Sequence, residues 1–296
     1  MAAGPGGSHD SPGLCYSSPV PPVSVTIITR NESAHLAAAL ASTAWADERI
    51  VVDSGSTDDT LDIARRHADR VEVHAWDSYA AQKNYAASIA RHDWILSLDA
   101  DERVSLALGD EIRHALQQEP AVRGFRLPRV THYLGQWIRC TDWWPDWQLR
   151  LYDRRAGQWG TVRVHESVRI AGPVGRLHGD LLHYPYAGIS DHLDTIDRYT
   201  TLAARELHAQ GRRAGWSRLA VHPPLAFLRN YVLRGGFRQG TPGLVVSMLN
   251  SYYVLLKFAK LWELRQQDEA RAFEEQAAAG STAAGPPGSP PAEPSH

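Results

Sequence analysis

The first hundred positions alternate short β-branched runs with stretches whose apolar residues recur every three to four positions. Val23–Thr29 (VSVTIIT) predicts a buried strand, and residues 33–41 a helix with Asn31 or Ser33 as its cap. Residues 49–53 (RIVVD) predict a second strand, and 57–67 a second helix opened by SGSTDDT, where Ser56 or Thr57 can cap. A third strand over 70–74, a third helix over 79–90 and a fourth strand over 94–98 (WILSL) complete the series. Repeated βα units imply a mostly parallel sheet flanked by helices, with right-handed crossovers.

Beyond a helix over 105–118 the rhythm changes. Residues 123–183 carry short strand-like pieces (GFRLPRV, WQLRLYD, VRVHESV) rich in aromatics, which read as antiparallel additions forming an acceptor-side surface. Residues 188–263 read as three helices. Residues 1–22 and 267–296 hold too few large apolar residues to pack and read as disordered ends. The expected division is therefore a leader (1–22), a catalytic domain (23–183, with halves 23–103 and 104–183), a basic helical region (184–266) and a tail (267–296).

Composition narrows the class. With 296 residues, 43% hydrophobic and 22% charged, the chain can bury a full α/β core. A net charge of −2 argues against a nucleic-acid binder. Cys15 and Cys140 are the two cysteines, so a reducing compartment is expected. The leader lacks the pattern of a signal peptide, and no run of eighteen apolar residues predicts a membrane span.

Polar residues of chemical interest fall at the carboxyl ends of the predicted strands, where open α/β sheets bind ligands. They are Thr29, Arg30, Asn31 and Glu32 after the first strand, Asp53 after the second, and Asp99 and Asp101 after the fourth. Two carboxylates at i and i+2 in a turn can approach one hard divalent cation that keeps positions open for diphosphate oxygens. A solvated acidic turn is the plain alternative. Asp53 can accept hydrogen bonds from a base or ribose, or merely cap its own turn.

VSVTIITRNE, IVVDSGSTDDT and QKNYAASIARHDWILSLDADE, in that order and separation, resemble the nucleotide-binding half of family 2 glycosyltransferases. W-x5-VHES, LLHYPY and NYVLRGGFRQGTPG resemble the branch containing lipopolysaccharide-core β-glucosyltransferases. The resemblance covers about residues 23–262. It implies a GT-A fold with a C-terminal helical appendage, a nucleotide-diphosphate sugar donor, inversion at the anomeric carbon, and Mg²⁺ or Mn²⁺. Carried over, it gives Thr29, Glu32 and Asp53 to the uridine part, Asp99 to ribose or metal, and Asp101 to the metal, with His183 completing the metal shell. Inversion needs a base for the acceptor hydroxyl; Glu166 is the first candidate and Asp146 the rival. Lys83 and Arg150 are candidate diphosphate contacts.

Residues 211–260 carry eight basic side chains (Arg212, Arg213, Arg218, Arg229, Arg234, Arg238, Lys257, Lys260) and no acid, with aromatics interleaved. Such a segment suits an anionic membrane surface, and a cleft for a phosphorylated acceptor is another reading. The expected enzyme is a cytoplasmic, inner-face peripheral transferase moving glucose from UDP-glucose to a hydroxyl of a lipid-linked glycan such as lipopolysaccharide core. The rivals are a polyprenyl-phosphate glycosyltransferase, a nucleotidyltransferase and a non-catalytic glycan-binding module.

Overall fold

The computed structural model describes residues 20–118, 121–160 and 167–283, with side chains through Glu275. The chain divides into two compact units: residues up to Thr131 with Pro145–Pro185, and His132–Trp144 with residues from Tyr186 onward.

The first unit opens β1 (Val23–Thr29), α1 (Leu36–Ser42), β2 (Glu48–Asp53), α2 (Thr60–His67), β3 (Arg70–Val73), α3 (Tyr79–Ser88) and β4 (Trp94–Asp99). These strands are parallel, as the alternation predicts. There follow β5 (Glu102–Val104), α4 (Leu106–Gln117) and β6 (Gly124–Tyr133), whose last two residues belong to the second unit. β7 (Gln136–Ile138) lies in the second unit. β8 (Asp146–Asp153), β9 (Gly157–Trp159), β10 (Val168–Ile170), β11 (Val174–Arg176) and β12 (Leu181–His183) return to the first. The strand order is β3-β2-β1-β4-β8-β6-β12-β5, with β8 antiparallel to both β4 and β6. The mixed right-hand half is the antiparallel addition expected from residues 123–183.

Period-two alternation explains the two-sided core. Val25, Ile27, Val51, Leu96 and Leu98 pack with α1 and α4 residues on one face. Ile28, Ile50, Val52 and Ile95 pack with α3 residues, Tyr152 and Trp159 on the other. Strands covered on both faces read as continuous apolar runs, which is why the sequence reveals them.

The helix starts differ from the expected caps. α1 begins at Leu36, after a turn over residues 33–35 in which Glu32 O accepts from His35 N and Leu36 N at 3.0 Å each; Asn31, in a left-handed conformation (φ 55°), does not cap it. Its side chain instead accepts from Thr57 N at 2.8 Å, while its own N–H donates to Ser56 Oγ at 2.8 Å. The loops after β1 and β2 are thereby tied together, and α2 starts only at Thr60.

The second unit holds α5 (Ile189–Ala209), α6 (Trp216–Leu228), a wide π-type turn (Arg229–Leu233), a 3-10 turn (Gly236–Gln239) and α7 (Gly240–Ala283). The three expected helices are present. α7, however, continues through the segment expected to be a disordered tail, since its Ala-, Glu- and Gln-rich composition has high helix propensity without an apolar face. Residues Gly236–Glu275 are also long and apolar enough to cross a membrane by length and composition, although the sequence has no unbroken run of eighteen apolar residues there. Phe258 and Leu261 are buried beside Ala204 and Ala214, so part of that apolarity serves packing. Only 22% of the apolar stretch is buried.

Candidate active site

The acidic turn after β4 is built by strand pairing. β5 runs antiparallel to β12 with Glu102 opposite His183, and Tyr184 N donates to Asp101 O at 3.0 Å. β12 runs parallel to β6, which puts Thr131 beside His183. His183 is thus held on both sides. Its Nδ1 lies 3.3 Å from Thr131 Oγ1, and its Nε2 lies 3.3 Å from Asp101 Oδ2. Burial raises the Asp101 pKa, but the hydrogen bond and charge of His183 outweigh it and the net shift is downward.

Asp99 is arranged differently. Its carboxylate takes Lys83 Nζ at 2.8 Å on one oxygen and Arg150 Nη2 at 2.5 Å on the other. Burial opposes ionisation there, yet the Arg150 and Lys83 charges hold the group far below the usual carboxylate range. Lys83 is itself buried, which lowers its pKa against the pull of Asp99, and its ammonium sits 4.4 Å from the Trp159 ring centroid. Lys83 and Arg150, expected to meet the donor diphosphate, are therefore engaged with Asp99.

The network extends through two residues that the sequence did not single out. Glu102 is fully buried; its Oε1 lies 2.7 Å from Arg150 Nη2 and 3.0 Å from Arg129 Nη1. Its Oε2 accepts from Asp99 N at 3.1 Å. Arg129 in turn pairs with Asp146 at 2.7 Å, directly across β6 and β8. Asp146 Oδ1 also accepts from Gln148 at 2.7 Å. Lys83, Arg150 and Arg129 against Asp99, Glu102 and Asp146 form a chain of equal and opposite charges, as a buried ionic network requires.

Glu32 lies outside that compensation. Burial pushes its pKa up, with the charges of Asp101, Asp58 and Asp99 adding, to about 7. The shift reflects burial first and three nearby acids second. Thr29, at the tip of β1, is buried with its hydroxyl unpartnered among the described residues. Asp53 is also fully buried, but its Oδ1 accepts from Gly55 N and Ser56 N at 2.8 Å each and its Oδ2 from the Ser56 hydroxyl. The plain capping role describes its present contacts. Glu166 lies outside the described residues.

Among the described residues no group of three His, Cys, Asp or Glu side chains is gathered closely enough to hold a metal ion alone. The expected trio reduces to Asp101 with His183, because Asp99 is turned to Lys83 and Arg150. One carboxylate and one imidazole fit a divalent cation that takes its remaining ligands from diphosphate and water.

Residues 24–168 match the model of the family described as glycosyl transferase family 2. Over 249 residues the chain is 31% identical to the lipopolysaccharide core biosynthesis glycosyltransferase LpsC of Rhizobium meliloti, covering 82% of this chain and 92% of that one. It is 32% identical over 265 residues to an uncharacterized glycosyltransferase of Rickettsia prowazekii, covering 82% and 87%. Among solved structures, the mannosyltransferase PcManGT of Pyrobaculum calidifontis, in complex with GDP-Man and Mn²⁺, superposes with a TM-score of 0.51 at 15% identity, over 83% of this chain and 88% of that one.

Proposed function

The chain belongs to glycosyl transferase family 2 with a GT-A fold, and on that premise we propose that it is an inverting, divalent-metal-dependent transferase. It moves glucose from UDP-glucose to a hydroxyl of a lipid-linked glycan of the lipopolysaccharide-core type. The observation that carries this reading is the placement of Asp101, His183 and Glu32 beyond strand ends of the mixed sheet, next to a Lys83–Asp99–Arg150 cluster that carries one net positive charge before Glu102 is counted. The glycan acceptor rests on likeness to the relative named for lipopolysaccharide core biosynthesis.

Asp101 Oδ2 and His183 Nε2 would hold Mg²⁺ or Mn²⁺, with Thr131 fixing the imidazole so that Nε2 faces the ion. A divalent cation bound there supplies charge neutralisation for the departing diphosphate. Thr29, Glu32 and Asp53 line the uridine side, Asp53 through the loop it shapes. Lys83 and Arg150 hold Asp99 for the ribose and present positive charge to the phosphates. Glu166 takes the acceptor proton. Its rival Asp146 is already engaged by Arg129 and Gln148. The second unit brings the enzyme to the inner face of an anionic membrane.

The test is donor hydrolysis against a panel of nucleotide sugars, with and without Mn²⁺. Mn²⁺-dependent release of UDP from UDP-glucose is expected; full turnover after EDTA treatment would overturn the metal assignment.

A further inference from the structure

The segment NYVLRGGFRQGTPG is left without a role by the donor machinery, and its geometry is specific. The wide turn Arg229–Leu233 is closed by Arg234 N donating to Arg229 O at 2.8 Å, which stacks residues 229 and 234 one above the other. Both guanidiniums reach one carboxylate: Arg229 Nη2 bonds Asp142 Oδ2, and Arg234 Nε lies 3.1 Å from Asp142 Oδ1. Asp142 is itself held from beneath. Its N–H donates to Asn230 Oδ1 at 2.7 Å, and Asn230 Nδ2 donates to its Oδ2 at 3.1 Å. Asn230 is fully buried and accepts from Asn250 on α7 at 3.0 Å.

The glycines serve the same end. Gly235 has φ +73°, a conformation that reverses the chain after Arg234. A Cβ on Gly236 would lie 2.7 Å from Ser247 Oγ, and one on Gly243 would run into the Gly236 carbonyl. Bare backbone at both positions seats the loop against α7. The motif thus spends a buried amide, a π-type turn and a close glycine contact to orient two arginines that remain half exposed, at 54% and 48%. π-type turns of this kind recur at functional sites.

A single Asp142 charge leaves two guanidiniums with a net positive charge, and Arg238 sits beside Gly235. Each arginine commits one nitrogen to Asp142, Nη2 of Arg229 and Nε of Arg234, so both guanidiniums keep further N–H donors for an oxyanion with three or more oxygens. Attraction to bulk lipid needs charge alone and no such orientation. We propose that Arg229 and Arg234, presented by Asp142, bind a phosphate group carried by the saccharide acceptor. The assignment rests on the glycosyltransferase reading for the word acceptor, but the site lies wholly within the second unit.

The experiment uses the full chain without donor and follows ³¹P line broadening of glucose 6-phosphate, with unphosphorylated glucose as a competitor. Arg229→Lys with Arg234→Lys keeps the charge and removes the forks; Arg229→Gln with Arg234→Gln removes both. Both sites are surface positions, and circular dichroism checks the fold. Binding of glucose 6-phosphate that glucose does not displace, weakened about tenfold or more in both variants, is expected. The Lys pair should still sediment with phosphatidylglycerol vesicles as the unaltered protein does. Equal broadening in all three proteins, or a Lys pair that binds the sugar phosphate normally, overturns the site and leaves a charge-only lipid contact. Donor hydrolysis by the unaltered protein is scored separately: a protein that hydrolyses UDP-glucose but shows no arginine-dependent broadening sinks this site alone.

Discussion

Arg150 Nη2 stands between Asp99 Oδ2 and Glu102 Oε1, 2.5 and 2.7 Å away, with its side chain only 4% exposed. One cation on β8 therefore holds both the end of β4 and the start of β5, and the acidic turn between them inherits its shape. Replacing Arg150 with Met removes the cation that the buried Glu102 and the partly exposed Asp99 share, and leaves them only Arg129 and Lys83 respectively. A loss of about 3–5 kcal/mol of folding stability is expected, read from urea denaturation. The Arg150→Met, Glu102→Gln double change should cost less than the sum of the single changes, since the two share one interaction. Additive losses would mean that the pair is not coupled.

How much of this was legible is uneven, and the reason is sequence distance. The parallel strands announce themselves through β-branched runs because both faces are buried. The acidic turn is visible because Asp99 and Asp101 follow such a run. Glu102 reads as one more solvated acid of the same turn, and Arg129 as one more strand charge. Their burial follows only from the β5–β12 and β6–β8 registers, which no local pattern encodes. Asp142 and Arg229 meet across 87 positions, so the role of the Arg/Gly-rich motif was equally hidden. Lys257 and Lys260 show what a charge count along the chain leaves out. Lys260 is bound to Asp197 at 2.7 Å, and Lys257 lies over the Tyr253 and Phe258 rings, so both have partners within the second unit.

Thr131 touches no substrate in the proposed site, yet it holds His183 Nδ1. Thr131→Val should weaken Mn²⁺ affinity by about 10-fold or more while leaving the fold intact, measured by electron paramagnetic resonance titration of free Mn²⁺. Asp101→Asn should abolish specific Mn²⁺ binding. Unchanged titration curves in both variants would move the metal elsewhere.

Glu166 and Asp146 are separated by a kinetic comparison. Glu166→Gln should lower kcat by roughly 10²–10⁴-fold with donor affinity kept, as loss of a general base does. Asp146→Asn should act mainly through Arg129, lowering stability more than kcat. A near-normal kcat for Glu166→Gln favours an acceptor phosphate as nucleophile, the polyprenyl-phosphate alternative.

His192 gives the second unit a pH signature. It is 4% exposed, stacks on Tyr186 at 4.2 Å and sits 3.1 Å from the Tyr133 hydroxyl. Burial pushes its pKa down to about 4, against a small upward pull from Asp191. The unfolded chain protonates this imidazole near pH 6.5 and the folded one only near 4. The unfolded state therefore binds more protons between those values. Its contribution is whole above about pH 6.5 and is lost as pH falls toward 4, to the extent of about 3 kcal/mol. His192→Phe should flatten that part of the stability–pH curve; an unchanged slope would assign it to other groups.

Membrane contact can be tested on apolar surface rather than on charge. Val221, Leu225 and Leu228 follow one another at helical spacing on α6 and are 47%, 57% and 49% exposed. Trp216 at the start of the same helix is 80% exposed, and Leu233 just beyond it 76%. An amphipathic face of this kind inserts shallowly at the headgroup boundary, with arginines supplying attraction to anionic lipid. Arg212, Arg213, Arg218 and Arg238 remain available for that role once the Asp142-bound pair and the two lysines are set aside. Each contributes on the order of 1 kcal/mol near the surface, screened by salt. Leu225→Asp with Leu228→Asp removes apolar contact and adds repulsion without disturbing a core position. Co-sedimentation with phosphatidylglycerol vesicles at low salt should fall at least about tenfold in this variant, since each buried leucine is worth about 1.5–3 kcal/mol at full burial. High salt should release the unaltered protein as well, because neither force alone holds it. Undiminished sedimentation of the Leu225, Leu228 variant would show that α6 does not enter the lipid, and the attraction would then be electrostatic only.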